Sequence, residues 1–438
     1  MFVLFPHQLY YHQLHKGTFL VEEPILLGDR PNVKLRLNRL RLVYQRYLEN
    51  IFVATFSQVT FVKSEDVTEF LKNIGDTPVT IYDPVDHAVL SKWQKACKNL
   101  TILETPSFLL SRPKLTEYYA SKKGKKLRHA PFYAWVRREL GILNGIESQD
   151  KYNRATYPKD GPAPPAPYPR YTRSGVHATA LQSAVEWVTN HPRYSTNPGN
   201  IDSVYLAKLP CTHSEALVWL DTFLAERFAQ FGQYEDAIVR GEPWMFHSGL
   251  SIPLNYGLLT PADILDRAKA WKGRVPLQSY EGFIRQIIGW REYCRLYYNC
   301  IPPKVYLQNH FKFRKTKLAA AWYRGTTGVP IVDDAIKDAW RYGYLHHIRR
   351  LMVLANFMTV SEIHPDNVYR WMFEFSLDSN DVFMIFNCYS MGTYSDNGAA
   401  TYKAYVSGPG YIQKQGREPG GPWVDEWRKK YGALKLKM

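Results

Sequence analysis

Two adjacent histidines and two adjacent arginines, His346–His347 and Arg349–Arg350, lie in PIVDDAIKDAWRYGYLHHIRRLMVLANFM (330–358), a stretch apolar enough to be core. Burying such groups is costly unless they pair or act, and groups so placed mark sites. His347 and Arg350 are three apart and share one helix face. In FHSGLSIPLNYGLLTP (246–261) the hydroxyls of Ser248 and Ser251 precede the helix opened by Pro261, and backbone N–H groups and hydroxyls near a helix start can cradle a phosphate. In GFIRQIIGWREY (282–293) Gln286 and Trp290 share one face and Arg291 is within reach of an anion, while SLDSND (376–381) supplies Asp378 and Asn380. Taken alone, the histidine stretch reads equally well as a helix on a basic surface with half-buried imidazoles.

Composition narrows the chemistry. Lys+Arg 56 against Asp+Glu 40 gives a net charge of +16, and 15% of the residues are aromatic, with 12 Trp and 31 Tyr. Cations for phosphates and flat rings for unstacked bases suit nucleic acid. With 45% apolar residues in 438, two or three domains with substantial cores are expected. The five cysteines (Cys97, Cys211, Cys294, Cys300, Cys388) form no C-x-x-C, which argues against a disulfide framework or a zinc ribbon. No run of 18 apolar residues occurs, so no membrane span is expected. The start, MFVLFPHQLYY, reads as a first strand rather than a signal peptide, and a soluble, intracellular protein is expected.

The elements that must position these residues follow from periodicity. FVLF (2–5), IFVATF (51–56) and VTIYD (79–83) read as strands, alternating with helices in VKLRLNRLRLVYQRYLEN, EDVTEFLKNI and HAVLSKWQKAC, the pattern of a parallel α/β sheet. Neither G-x-G-x-x-G nor a P-loop is present. SKKGKKLRH (121–129) is read as a solvated basic turn. FYAWVRRELGIL (132–143) is an amphipathic helix, after which PKDGPAPPAPYP (158–169) carries six prolines in twelve residues and must be extended. An α/β domain over 1–144, a linker over 145–205 and an all-α domain over 206–438 are therefore expected. Helices are predicted at 214–231, 261–271, 280–298, 365–377 and across 330–358, where Pro330, Asp333 and Asp334 open one helix and Gly343 separates it from a second. Gly392 to Met438 is expected as loop with a short helix at WVDEWRKKYG.

Taken in order, H-S-x-L-S…N-x-G-L-L-T-P, G-F-I-R-Q-I-x-G-W-R-E-Y and Y-x-H-H-I-x-R-L-M-V resemble the photolyase–cryptochrome flavoproteins, most closely the prokaryotic (6-4) photolyase branch. The match covers most of 215–411 and continues more loosely through FPHQLYY, FYAWVRRELGIL and Asn153–Arg154. It implies an all-α domain that binds FAD, with Ser248, Leu250 and Ser251 on the flavin phosphates, supported by Asn255 and Arg291. It pairs Arg350 with Asp378 beside the isoalloxazine, with Asn380 near the flavin edge and Met384 facing N5, where the branch keeps a polar group. It gives His347 the proton-shuttling role that suits an imidazole near neutral pH, with His346 beside it. Gln286 and Trp290 would face the flipped lesion, and Trp371 and Tyr411 would relay electrons.

The resemblance thus implies light-driven repair of UV-damaged DNA by a monomer, in the cytoplasm or, in a eukaryotic host, the nucleus. The (6-4) photoproduct is favoured because a cyclobutane-dimer enzyme usually has Asn at the second histidine. A cyclobutane-dimer photolyase and a cryptochrome-type photoreceptor without repair are the alternatives. The branch usually holds an Fe–S cluster, but its first ligand position, fifteen residues before His346, is Ile331 here, and no cysteine follows Cys388. The cluster is expected to be absent. A lumazine-type antenna would lie near DRPNVK (29–34), which departs from the branch's F-H-x-x-K. Asp236 sits where the branch can place a divalent cation such as magnesium. As a lone acid it reads as a surface charge, and no metal is expected.

Overall fold

The computed structural model describes every residue except 13, 16, 162, 166–168, 417, 418 and 438. Five short strands form a parallel sheet: β1 (Phe2–Leu4), β2 (Thr18–Val21), β3 (Thr60–Val62), β4 (Val79–Tyr82) and β5 (Leu100–Leu103), in the order β3-β2-β1-β4-β5. All four pairings are parallel. Central β1 is buried along its length, as expected when helices cover both faces. The crossovers are α1 (Arg39–Thr55), α2 (Val67–Asn73) and α3 (His87–Ala96).

One expected strand is a helix. IFVATF (51–56) forms the last turns of α1 and its cap. Its β-branched and aromatic run looks like a strand, but Leu40, Val43, Tyr44, Tyr47, Leu48, Ile51 and Phe52 continue one buried helical stripe. The Asn38 side chain starts that helix by accepting a hydrogen bond from the Leu40 N–H at 3.0 Å. The strand comes a turn later, at β3. Strands β2 and β5, of four residues each, have no counterpart in the sequence reading.

Within the span expected as linker, Gly175–Asn190 is a helix. It lies against α1, where Tyr47 Oη meets His177 Nδ1 at 3.1 Å. The described residues of 158–169 contain neither helix nor strand. Beyond 200 the chain is helical, as expected, and the tail carries more helix than anticipated: Pro409–Gly416 and Pro422–Lys435. Trp427 holds the last helix, with its ring 4.8 Å from that of Phe357.

Buried ions clasp the two halves. The region DRPNVK forms a two-residue antiparallel hairpin, Asp29–Arg30 with Val33–Lys34. Arg30 extends from it to Asp86 at 3.0 Å and to Asp381 of the helical half at 2.6 Å. Arg41 of α1 donates to the backbone oxygens of Ser376 at 3.1 Å and Ser379 at 3.0 Å. Arg30→Ala would strand two buried carboxylates, a loss of about 3–5 kcal/mol. Urea unfolding should show that drop, with the halves separating into two transitions; an unchanged single transition would refute the clasp.

Candidate functional site

A cavity of about 790 Å³ opens in the helical half, in the upper part of the ~300–1,000 Å³ range of cofactor pockets. Three helices reach it, and each widens into a π-helical turn there: Arg285–Trp290, Arg349–Ala355 and Phe386–Gly392. Such turns re-aim side chains and concentrate at functional sites. The geometry depends on how the organising stretch folds. Helix Pro330–Tyr342 ends at Gly343, whose φ of +59° favours glycine. A Cβ there would meet Leu377 Cγ at 2.7 Å. The Leu377 N–H donates to the Gly343 carbonyl at 2.8 Å, which seats the loop carrying Asp378 against the histidine helix.

Asp378 is the hub of the polar wall. Its carboxylate pairs with Arg350 Nη2 at 2.9 Å and accepts from the Ser251 hydroxyl at 2.5 Å and from Ser376. Asn255 Nδ2 donates to the Asp378 carbonyl at 2.6 Å, and Arg291 Nη1 donates to Asn255 Oδ1 at 2.8 Å. Burial alone would raise the Asp378 carboxyl, but Arg350 and the hydroxyls outweigh it and hold it below its ordinary value. Arg291 lies between Phe108 and Phe383, 4.9 and 4.7 Å from their ring centres, and burial lowers it to about 10. Gly249, at φ +66°, keeps the chain between the two serines tight against Trp244, which a Cβ would meet at 2.8 Å.

The histidines are held neutral. His347 lines the cavity and is open to its solvent. Surrounding protein first, then Arg350, lowers it to about 4, and water in the open cavity moderates that shift. His346 does not line the cavity. It is 1% exposed and stacks on His247 at 4.5 Å, and neither ring nitrogen has a hydrogen-bond partner among the described residues. Burial, then His247 and the neighbouring cations, lowers it well below the ordinary value. Arg349 turns away too, onto Asp334 at 3.1 Å and Asp338 at 2.6 Å.

Acids line the rim. Asp236 is buried rather than a surface charge. It accepts from the Tyr411 hydroxyl at 2.7 Å and lies 3.5 Å from Arg154. Sequence reasoning missed its neighbour Glu235, which burial pushes up to about 7. Glu235 accepts from Gln286 Nε2 at 3.4 Å and so orients the amide expected to read a ligand. Trp290 also lines the cavity, with its ring stacked on His129 at 3.6 Å.

The apolar wall is rich in sulfur. Four of the eight methionines, Met352, Met372, Met384 and Met391, line it with Cys294 and Cys388, giving a soft, polarisable surface. Thus Ser248, Leu250, Ser251, Asn255, Gln286, Trp290, Arg291, His347, Arg350, Asp378, Met384 and Tyr411 all meet at one cavity. Asn380 stands just behind, donating to the Asn255 carbonyl at 3.2 Å. Trp371 is fully buried outside the cavity lining, with its indole on the Trp322 carbonyl at 2.8 Å and its ring 6.1 Å from Trp340. Tyr411, committed to Asp236 on the rim, shares none of these contacts.

Residues 51–205 match the family model of deoxyribodipyrimidine photo-lyase-related proteins, and residues 283–429 match that of the FAD binding domain of DNA photolyase. A (6-4) photolyase of Agrobacterium fabrum is 29% identical over 309 residues, 70% of this chain and 60% of its own length. The chain therefore spans less than two thirds of that relative. An uncharacterized protein of Acanthamoeba polyphaga mimivirus, R853, is 43% identical over 113 residues, 25% of this chain and 85% of its own. Among solved structures, a bacterial class III photolyase from Agrobacterium tumefaciens superposes with a TM-score of 0.57 at 17% identity, covering 94% of this chain and 86% of its own. A Synechocystis sp. PCC6803 cryptochrome does so at 0.59 and 13%, covering 100% and 87%.

Two outcomes test the site. Asp378→Asn leaves Arg350 without its counter-charge and should cost about 3–5 kcal/mol in urea unfolding; a wild-type midpoint would contradict the hub. Burial and nearby cations lower His129 and His247 to about 3, against an ordinary 6.5. The unfolded chain therefore binds more protons below pH 6.5, and stability is lost as pH falls from 6.5 toward those folded values. At pH 5 each imidazole should account for at most about 2 kcal/mol. Unfolding midpoints at pH 7.5, 6 and 5 should fall in that order; a rise toward acid would show the imidazoles are charged in the fold.

Proposed function

The chain belongs to the photolyase–cryptochrome family, and on that footing we propose that it is a light-dependent DNA repair enzyme of (6-4) type. The observation that carries this reading is His347 beside the Arg350–Asp378 pair, in the same cavity wall as Gln286. The cavity's volume, its hydroxyl-lined end and its anchored ion pair fit FAD. Ser248, Leu250 and Ser251 would hold its phosphates, Ser251 exchanging its bond to Asp378 for one to the ligand. Asn255 and Arg291 would act from behind, fixing the Asp378 backbone, and Asn380 would fix Asn255 in turn. Bound there, FAD supplies light absorption and the electron.

This chain's residues do the rest. Arg350, held by Asp378 and by the Leu345 carbonyl at 2.6 Å, presents a fixed positive charge beside the reacting region. His347 donates a proton to the lesion and recovers it, so that no net proton or electron is consumed. Gln286, oriented by Glu235, and Trp290, backed by His129, would contact the flipped bases. Basic groups near the opening, Arg154 and Lys403, would meet phosphates. No Fe–S cluster is part of the proposal, because the buried side chain at the first ligand position, Ile331, cannot ligate iron. Met384 in the wall favours the second reading, a photoreceptor without repair, since a thioether is a poor hydrogen-bond partner.

Blue-light repair of two oligonucleotides, one with a (6-4) photoproduct and one with a cyclobutane dimer, separates the readings. Repair of the first alone is expected, together with flavin absorption bands. His347→Ala should reduce it by roughly 100-fold or more while the bands persist. Flavin bands without repair would establish the photoreceptor, and cyclobutane repair insensitive to His347→Ala would transfer the protein to that class.

A further inference from the structure

A second cluster of chemically capable side chains lies away from the cavity, where three segments meet. His177 comes from the helix Gly175–Asn190, Tyr47 from α1, and Cys211 and Glu215 from the start of the helix His213–Glu226. Thr212 caps that last helix by accepting from the Glu215 N–H at 3.2 Å. The Glu215 side chain turns back past the cap, and its Oε2 accepts from the Cys211 N–H at 2.8 Å. Arg173 grips the same carboxylate through Nε at 2.7 Å and Nη2 at 2.8 Å, and its Nη2 also donates to the Leu209 carbonyl at 2.6 Å. Cys211 and Glu215 are thereby held together at the helix start.

The side-chain atoms converge. Cys211 Sγ lies 3.1 Å from Glu215 Oε2, 3.4 Å from His177 Nδ1 and 3.5 Å from Tyr47 Oη, and Tyr47 Oη lies 3.1 Å from His177 Nδ1. The ligand atoms of His177, Cys211 and Glu215 all fall within 4.8 Å of one another. Hydrogen bonds account for only part of this. The thiol has one hydrogen, and the carboxylate, its nearest partner, can only accept. The triangle of Sγ, Oη and Nδ1 then has three edges and at most two hydrogens, from Tyr47 and, in one tautomer, from His177. One edge is left bare. Around a tetrahedral zinc ion, with Zn–S of about 2.3 Å and Zn–N or Zn–O of about 2.0–2.2 Å, neighbouring ligand atoms stand roughly 3.3–3.6 Å apart. The separations in this cluster are close to those edges. Cys211 is buried, while His177 and Glu215 are half-buried and leave an ion a way in from solvent.

We infer that His177, Cys211 and Glu215 form a binding site for a divalent cation of the zinc class, with Nδ1, Sγ and Oε2 as ligands and the Tyr47 hydroxyl at the fourth corner. A thiolate, an imidazole and a carboxylate together suit this borderline-soft ion and disfavour magnesium and calcium, which take oxygen ligands. On binding, the Sγ–H bond breaks, its proton leaves to solvent and an Sγ–metal bond forms; no electron moves. The ion takes the place of the thiol hydrogen at Oε2, while Arg173 keeps Oε1 and fixes the carboxylate from outside, as outer partners of metal ligands do. Bound there, the ion joins α1, the linker helix and the helical half, so that its binding energy holds the three segments together. None of these residues lines the cavity, and the inference does not rest on the repair reading.

The test uses flavin-loaded full-length protein, freed of metal with a chelator and titrated with cobalt(II) and then zinc. One cobalt per chain is expected, with the absorption of a tetrahedral, thiolate-bound ion to the red of the flavin bands, and one zinc should displace it. Zinc should also raise the thermal unfolding midpoint and release a proton on binding. Cys211→Ser and His177→Ala should each weaken zinc binding by more than roughly 100-fold, beyond the roughly 10–100-fold that outer partners of metal ligands carry, and leave the flavin bands unchanged. Absence of binding, cobalt spectra of an octahedral ion without sulfur, or wild-type affinity in both variants would overturn the inference; the last two would show an adventitious ion only. If Cys211→Ser does not fold, His177→Ala decides, with the wild-type cobalt spectrum reporting the sulfur ligand.

Discussion

The structure depends on one buried ion pair. Arg350 and Asp378 come from segments that meet only because Gly343 lets the chain turn and lets Leu377 sit where a side chain would otherwise be. A charge pair in such a place offers little stability by itself, since desolvation offsets much of the attraction. What it supplies is position. With Asp378 fixed from four directions, by Arg350, Ser251, Ser376 and Asn255, the loop 376–381, the serine segment and the histidine helix share one register. Arg291 extends that register to the long helix that carries Gln286 and Trp290.

The π-helical turns serve the same end by another route. A helix that keeps its ideal pitch shows any given side one residue in three or four. The extra residue in the widened turn that begins at Arg349 breaks that rhythm, so that Arg350, Leu351 and Met352, adjacent in sequence, all line one wall while Arg349 turns back into the protein.

This explains what the sequence shows and what it hides. Residue type and order, read together with the family resemblance that supplied Asn255, brought together the serines, Asn255, Gln286, Trp290, Arg291, His347, Arg350 and Asp378, each of which sits in a distinctive local pattern. The α/β half was readable as a class, from alternating apolar runs and helices, but not strand by strand. Strands of three or four residues carry too little pattern, and IFVATF carries strand composition on a helical stripe. His346 and Asp236 show the complementary limit. An HH pair does not say which ring faces the cavity, since His346 precedes the helix and its direction is set by the turn that follows Gly343. Asp236 looks solitary in sequence, yet Tyr411 and Arg154, both far along the chain, surround it. Glu235 and His247 were overlooked for the same reason: what distinguishes them is their neighbours.

Charge distribution gives the last step. The chain carries +16, and inside the cavity region Arg227, Arg349 and Arg350 add to a field that opposes protonation of every nearby imidazole. The same field attracts phosphate. Burial is the larger cause of the lowered imidazoles and the cations the smaller one, so a polyanion drawn into the cavity offsets part of that lowering.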